Sequence, residues 1–446
     1  MAMKDSGIDW IGEIPNAWKI SKLKYVSEFV NGDRGANYPS GDDLVDDGII
    51  FVTSNNIHGT ELDNSPSISK YITKERYDLL GGAKLEINDI IFCLRGSVGV
   101  CAINTTETEG TIASSLVDIK PRLIDTHFMN FFLQSEISKF QTDLYTNGSC
   151  AANLSADNVS NYYFIEPNIE EQQLIADFLD DKVGKIDDIL TDLNKQVEIL
   201  TAYKKSLITE TVTKGLNPNA PMKESGIDWI GKIPEHWNIK KLKYLLKPNC
   251  VNMRVGPFGS ALSGDDFKDE GYWVYNQRCV LDKNFETNDT FVDEYKYKEL
   301  NAFTVDAGDI LITTRGTIGK VAIVPKNCPV GILHPCIIKF VMNQDLINNE
   351  LVELIFNNSN MIMDQIMRKS NATTIDVIYS YTLKDLLLPV IPMDEQKEII
   401  DFLDKKCAEI DGLISDKTAQ IDKMEKYKKS LIFEYVTGKK RVKEVV

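Results

Sequence analysis

The chain has 446 residues, 43% of them apolar and 26% charged, with 27 Gly and 15 Pro. These proportions exclude a disordered or fibrous chain, and the length allows about three domains. A formal charge of −16, from 50 basic and 66 acidic residues, excludes a protein that coats DNA or an anionic membrane by bulk charge, while leaving room for a local basic face.

The N-terminal stretch Met1 to Gly12 carries Asp5 and Asp9 and lacks an apolar signal core. No run reaches the ~18 apolar residues of a membrane span, and the densest patch, Leu386–Leu388, runs into Pro389 and Pro392. A cytoplasmic protein is the expectation. Eight cysteines, at 93, 101, 150, 250, 279, 328, 336 and 407, form no CxxC pair, and the four histidines (58, 127, 236, 334) are scattered. Buried reduced thiols are expected, with no metal ligands among them.

The chain repeats itself. Met3-Lys-Asp-Ser-Gly-Ile-Asp-Trp-Ile-Gly-Glu-Ile-Pro-Asn-Ala-Trp18 recurs as Met222-Lys-Glu-Ser-Gly-Ile-Asp-Trp-Ile-Gly-Lys-Ile-Pro-Glu-His-Trp237, and Lys22-Leu-Lys-Tyr25 as Lys241-Leu-Lys-Tyr244. Further on, Asp89-Ile-Ile-Phe-Cys-Leu-Arg-Gly-Ser-Val-Gly99 returns as Asp309-Ile-Leu-Ile-Thr-Thr-Arg-Gly-Thr-Ile-Gly319. Glu171-Gln172, Asp177-Phe-Leu-Asp180 and Tyr203-Lys-Lys-Ser-Leu-Ile208 return as Glu395-Gln396, Asp401-Phe-Leu-Asp404 and Tyr427-Lys-Lys-Ser-Leu-Ile432. The offset rises only from 219 to 224 residues, so two copies share one order of elements.

Within the first copy, Ile49–Val52, Ile90–Cys93 and Val100–Ile103 read as strands punctuated by Gly and Asn turns. Phe128, Phe131, Phe132, Ile137, Phe140 and Leu144 lie at helical spacing, mirrored by Leu351, Leu354, Ile355, Ile362, Met363 and Ile366. Each copy therefore opens with a mixed α/β (α+β) globule. A long helix follows, from about 170 to 212. Its apolar seam, Ile186, Leu190, Leu193, Val197, Leu200, Tyr203 and Leu207, has the ~3.5-residue step of a coiled coil, and Pro167 and Gly215 punctuate its ends. The second seam runs Ile410, Ile414, Lys417, Ile421, Met424, Tyr427 and Leu431, with Lys417 expected to snorkel outward or pair with a carboxylate such as Asp192. The heptads do not set the sense of pairing; tandem copies with a pseudo-twofold relation favour antiparallel. Four segments result: a head over 1–165, a spacer helix over 166–221, a second head over 222–390 and a second spacer over 391–446.

Head segments 26–88 and 245–308 diverge far more than the repeats around them, as if the heads read different things on supports that do one job twice. Two heads at a fixed separation suit a ligand with two sites along a line, which DNA provides.

The Ser-Gly-Ile-Asp-Trp-Ile-Gly-x-Ile-Pro-x-x-Trp opening, the Arg-Gly-x-x-Gly hairpin and the helix starts Pro167-Asn-Ile-Glu-Glu-Gln172 and Pro392-Met-Asp-Glu-Gln396 resemble the specificity (S) subunit of type I restriction–modification enzymes. The resemblance covers essentially the whole chain, in both copies. It implies two target-recognition domains joined by two long antiparallel spacer helices in a circularly pseudo-symmetric monomer, and a bipartite DNA target. It also implies two methyltransferase (M) subunits docked on the helices and restriction (R) subunits in the full complex. S-adenosylmethionine would then belong to the methyltransferase, ATP and Mg to the restriction subunit, and no cofactor to this chain.

The residues themselves carry no catalytic set. Asn217-Pro-Asn-Ala-Pro221 lacks the paired prolines and aromatic of an adenine methyltransferase loop, and Gly319-Lys320 is followed by Val321 where a phosphate loop needs Ser or Thr. Glu294-Tyr-Lys296 has the spacing of a nuclease metal-site fragment, a motif short enough to recur by accident. A non-catalytic recognition subunit is expected.

Bases are read by bidentate contacts, Arg to guanine and Asn or Gln to adenine. Ser54-Asn55-Asn56 and Asn276-Gln277-Arg278 follow strands in the divergent segments and are candidate readers, or equally ordinary polar turns. Arg95 and Arg315, present in both copies, suit phosphate contact better than base readout, with a structural salt bridge as the other reading. Gly148-Ser149 with Asn153, and Ser370-Asn371 with Thr373, are weaker candidates. Trp10, Trp18, Trp229 and Trp237 read as core or helix-docking residues. Tyr203, Lys204, Tyr427 and Lys428 are candidate partner contacts, with solvated helix faces as the alternative for the lysines. Lys205, Lys429 and the basic tail Lys439–Lys443 are open to the same two readings. The first spacer holds ten acids against five lysines between Glu170 and Val212 and would repel phosphate, so weak DNA binding by this chain alone is expected. Other readings left open are a specificity subunit of a methylation-only system, a protein scaffold that binds no DNA, and a stand-alone nuclease.

Overall fold

The computed structural model describes residues 2–146, 153–227, 230–258, 260–370 and 377–442. The chain forms two compact units, Met1–Asn194 with Ala419–Val446, and Lys195–Thr418. Each unit takes one whole head and one stretch of each spacer helix, so compactness cuts across the four linear segments expected from the sequence.

In the first unit, strands Ser27–Asn31, Leu116–Pro121, Ile90–Cys93, Cys101–Ile103, Glu61–Leu62 and Ile57–His58 make one sheet in that order. A second sheet holds Gly110–Ile112, Ile49–Val52, Lys70–Ile72 and Leu44–Val45, with Ile49–Val52 parallel to Gly110–Ile112. The central strand explains why its sequence is apolar throughout. Ile90 and Phe92 point into a core shared with the helices, while Ile91 and Cys93 point into a second core between the sheets. Helices Thr126–Gln134 and Glu136–Thr146 cover the first face, and the break at Ser135 leaves Phe140 and Leu144 exposed rather than on one continuous apolar stripe.

The second unit repeats the plan. Met253–Val255, Ile337–Phe340, Ile310–Thr313 and Val321–Ile323 form one sheet, and Phe291–Val292, Tyr272–Tyr275 and Gly331–Leu333 the other, Tyr272–Tyr275 again lying parallel to its Gly331–Leu333 neighbour. The divergent segments thus keep the same central strands, while the first head's strands Ile57–His58 and Glu61–Leu62 give way to the helix Gln277–Leu281 in the second.

Three repeated motifs now have physical reasons. The Asp that opens each central strand is a buried anchor: Asp89 takes the Lys120 ammonium at 2.7 Å and the Glu86 N–H at 2.6 Å, and Asp309 takes Lys339 at 2.7 Å and the Asp306 N–H at 2.9 Å. Trp18 and Trp237 are buried, each indole N–H donating to the Glu of the helix-start motif, Glu171 at 2.8 Å and Glu395 at 3.0 Å. The following Gln bonds backbone on both sides. Gln172 donates to Pro167 C=O and accepts the Asp125 N–H; Gln396 donates to Ile391 and Leu346 C=O and accepts the Asn348 N–H. Trp10 packs at a tilt on Phe140 and edgewise on Tyr163, while Trp229 lies outside the described residues. The heads are therefore welded to the helix starts, as the repetition of these tryptophans suggested.

One buried group differs between the heads. Asp118 faces Ile91 across the ladder, in the slot where the second head places Lys339 opposite Leu311. Asp118 is fully buried, neither carboxylate oxygen has a hydrogen-bond partner among the described residues, and its nearest cation, Lys120, is 3.3 Å away. Burial, with the Asp89 charge beside it, pushes its pKa up to about 8.

The spacer helices run over Ile169–Lys214 and Met393–Val436, the first being about 69 Å long at 1.5 Å per residue. They pair antiparallel. In the first unit Ile175, Leu179, Val183 and Ile186 share a core with Leu431, Ile432 and Val436, and Phe178 meets Tyr435. In the second unit Ile208 and Val212 pack with Ile400, Leu403 and Cys407. The seam departs from the expected heptads at Tyr203 and Tyr427, both 55% exposed. Their neighbours Lys204 and Lys428 turn toward the opposite helix instead, bonded to Asp411 and Asp187. Lys417 pairs with the Gln196 amide oxygen, not with Asp192.

Of the cysteines, Cys93, Cys101, Cys279 and Cys407 are buried, Cys328 and Cys336 half-buried and Cys250 exposed, so the expectation of burial fails for Cys250; Cys150 lies outside the described residues.

Candidate nucleic-acid interface

Four loops of the first head meet at one edge. Gly32 ends a strand against the Ala113 carbonyl, so close that a Cβ would lie 2.4 Å from that oxygen. Ala113 N–H bonds Val52 C=O, Leu94 N–H bonds Ser115 C=O, and Leu154 N–H bonds Leu94 C=O. Arg95 and Asn153 form a backbone bridge, and the Arg34 guanidinium donates to Ser114 C=O at 3.1 Å. Backbone hydrogen bonding thus gathers the loops around Arg34, Ser54, Arg95 and Asn153.

The second head builds the same edge. Gly256 lies against the His334 carbonyl, His334 N–H bonds Tyr275 C=O, and Thr314 N–H bonds Cys336 C=O. Ile378 N–H bonds Thr314 C=O, and Arg315 bridges Val377. Gln277 clamps the hairpin by donating to the carbonyls of Arg315 at 2.9 Å and Thr317 at 3.2 Å. The hairpin glycines Gly96, Gly99, Gly316 and Gly319 all have φ between 63° and 88°, which accounts for their recurrence.

The candidate readers divide. Asn55 is exposed and Ser54 half-buried, but Asn56 is fully buried, accepting the Thr53 N–H and donating to Asp63 C=O and Ser69 Oγ. An amide so committed has no donor or acceptor left for a base, and Asn56 is corrected to a loop-shaping residue. Asn276 caps the helix Gln277–Leu281, accepting from Arg278 and Cys279 N–H. Arg278 is exposed and pairs with the exposed Asp289 at 2.8 Å. Arg95 and Arg315 are both exposed. Asn153 is exposed beside Arg95. Gly148, Ser149, Asn371 and Thr373 lie outside the described residues, as does the side chain of Ser370.

Two rim residues were missed: Arg34 and Phe258, both exposed. The signal was the spacing Gly32-Asp-Arg-Gly35 and Gly256-Pro-Phe-Gly259, hidden inside segments that otherwise diverge.

On the spacers, Tyr203 and Tyr427 are free to face a partner. Lys204 and Lys428 are corrected to helix–helix ion pairs, since each ammonium is held by two carboxylate oxygens at 2.6–2.8 Å. The nuclease-like string is likewise engaged: Glu294 pairs with Lys298, and Lys296 with Asp266 and Glu299.

The model of the family described as "Type I restriction modification DNA specificity domain" matches residues 15–199 and 257–423. The chain belongs to this family. The type I restriction–modification specificity domain therefore occurs twice here, each match covering part of a head and running into a spacer helix. Relatives include the MjaX specificity subunit of Methanocaldococcus jannaschii, 26% identical over 448 residues and 97% of this chain and 96% of that one. The type I restriction enzyme EcoKI specificity subunit of Escherichia coli (strain K12) is 21% identical, covering 87% and 82%. A chain from a structure concerned with "complex assembly" and conformational transition of "the type I R-M system" shares the fold at TM-score 0.68 and 12% identity, over 95% of this chain and 99% of that one. Among the described residues, no helix is long and apolar enough to cross a membrane.

Proposed function

We propose that this chain is the sequence-specific DNA-recognition subunit of a type I restriction–modification system. Each head presents its loop edge to one half of an asymmetric bipartite site, and the spacer helices set the gap and dock two methyltransferase subunits. The observation that carries this reading is the duplicated edge: one backbone framework, built twice, holds an exposed arginine (Arg95, Arg315) in the same place and different side chains around it. Equivalent arginines serve phosphate, which is common to both half-sites; the differing neighbours serve sequence.

Chemistry is left to the partners. S-adenosylmethionine would sit in the methyltransferase, and ATP and Mg in a restriction subunit where one is present; this chain positions them and holds no cofactor of its own. The acidic spacer surface faces protein, with Tyr203 and Tyr427 as outward aromatic contacts.

Methylation mapping in the host, with and without this gene, tests the proposal. A bipartite methylated motif should vanish with the gene and return on complementation. An unchanged methylome, with no gel shift by the chain together with its methyltransferase, would leave the protein-scaffold reading instead.

A further inference from the structure

Phe258 is 82% exposed, the most exposed of the large apolar side chains among the described residues. Its mount is rigid. The preceding Gly256 is fixed by the close approach of the His334 carbonyl and by its N–H bond to Ile337 C=O. Pro257 restricts the next step, and the Phe258 carbonyl accepts the N–H groups of Ala261 and Leu262, the latter buried in its own core. The loop belongs to the edge that also holds Gln277 and Arg315, through His334, Tyr275 and Cys336.

The first head has the same mount with a different tip. Asn31 and Val255 occupy matching ladder positions, opposite Val117 and Ile338. Gly32 then meets Ala113 as Gly256 meets His334, so Arg34 stands where Phe258 stands. One scaffold position therefore carries a guanidinium in one head and a phenyl ring in the other, both exposed.

We propose that this shared loop-tip position is a specificity determinant in each head: Arg34 reads a guanine in the first half-site, and Phe258 packs on the 5-methyl group of a thymine in the second. The inference rests on the DNA-recognition reading above. The chemistry follows the major-groove code, in which Arg pairs bidentately with guanine O6 and N7 and apolar side chains contact the thymine methyl. Pro257 and Gly256 hold the ring out in advance, so little ordering is needed on binding.

The test uses the assembled complex with its methyltransferase. Once wild-type methylation has given the motif, Phe258→Ala should relax one A·T position in one half-site only, and Arg34→Ala one G·C position in the other. Phe258→Leu, which keeps an apolar tip, should retain the preference. Replacing that thymine by deoxyuridine should weaken wild-type binding about fourfold, the worth of one buried methyl, and leave Phe258→Ala binding unchanged. Unchanged melting of the variants establishes that the fold is intact. A motif unaltered in Phe258→Ala, or a second half-site without an A·T pair at the relaxed position, overturns the inference. Failure of the wild-type complex to methylate any bipartite site would instead overturn the functional reading beneath it.

Discussion

The Lys204 ammonium lies 2.6 Å from the Asp411 carboxylate, and the same pair recurs with the helices exchanged as Lys428 with Asp187, also 2.6 Å. Each bond crosses from one spacer to the other at a point where the apolar seam gives way to tyrosines on the outer face. Partly exposed pairs of this kind contribute about 0.5–1 kcal/mol. A double-mutant cycle of Lys204→Ala and Asp411→Ala should return a coupling of that order, falling with added salt. Zero coupling at low salt would show that the pair does not fix helix register.

Gln172 supports a larger effect. Its amide serves the Asp125 N–H and the Pro167 carbonyl from a buried position, so Gln172→Ala leaves both backbone groups without partners. A destabilisation of about 1–3 kcal/mol is expected by denaturant unfolding, and Gln396→Ala should cost a similar amount.

Two buried or half-buried groups make stability depend on pH with the same sign. Asp118 has its pKa raised to about 8 in the fold, so its share of stability is present at acid pH and lost as pH rises from about 4 towards 8. Asp118→Val should raise the melting temperature above pH 8 and flatten that slope. His127 is raised by its hydrogen bond to Asp180 at 2.8 Å; its contribution is full below its ordinary pKa of 6.5 and disappears as pH climbs through the raised value. Both partners are about 40% exposed, so Asp180→Asn should cost only a few tenths of a kcal/mol at pH 5.5 and less at pH 9.

Much of this was legible in the chain because the duplication supplied its own comparison. Residues that recur, such as Asp89/Asp309, Trp18/Trp237 and Gln172/Gln396, prove to be the buried anchors and welds, as burial constrains them in both copies alike, and the half-buried Glu171 and Glu395 recur as acceptors of the two indole N–H groups. Asn56 follows the polar-turn reading of its loop rather than DNA contact. A polar residue after a strand reads as available for DNA, but its hydrogen bonds are spent on its own loop, which sequence cannot reveal. Tyr203 and Tyr427 failed for another reason: an aromatic at heptad spacing looks like seam, yet the adjacent lysines found carboxylates across the helices and rotated the tyrosines out. Arg34 and Phe258 were hidden because unlike residues on a like mount look merely divergent.

Arg95 and Arg315 should behave as phosphate contacts. Either Arg→Ala change should weaken DNA binding by the assembled complex about equally across sequences and lower the salt slope by about one. A changed motif in either variant would mean base readout. The lone chain, at −16, should bind far more weakly than the complex throughout the same titration.

In the proposed function the spacer helices are the ruler between half-sites. Adding one turn to both inserts about 5.4 Å, close to 1.6 base pairs at ~3.4 Å each, so the mapped gap should lengthen by one or two pairs. A methylome with an unaltered gap would show that the helices do not act as a ruler.

The most direct measurement exchanges residues 222–390 for the second head of another family member and sequences the methylated sites made by the complex. If each head reads independently, one half of the motif changes to that of the donor while the other half and the gap stay as they were. Changes in both halves, or in neither, would contradict two separate readers on one support.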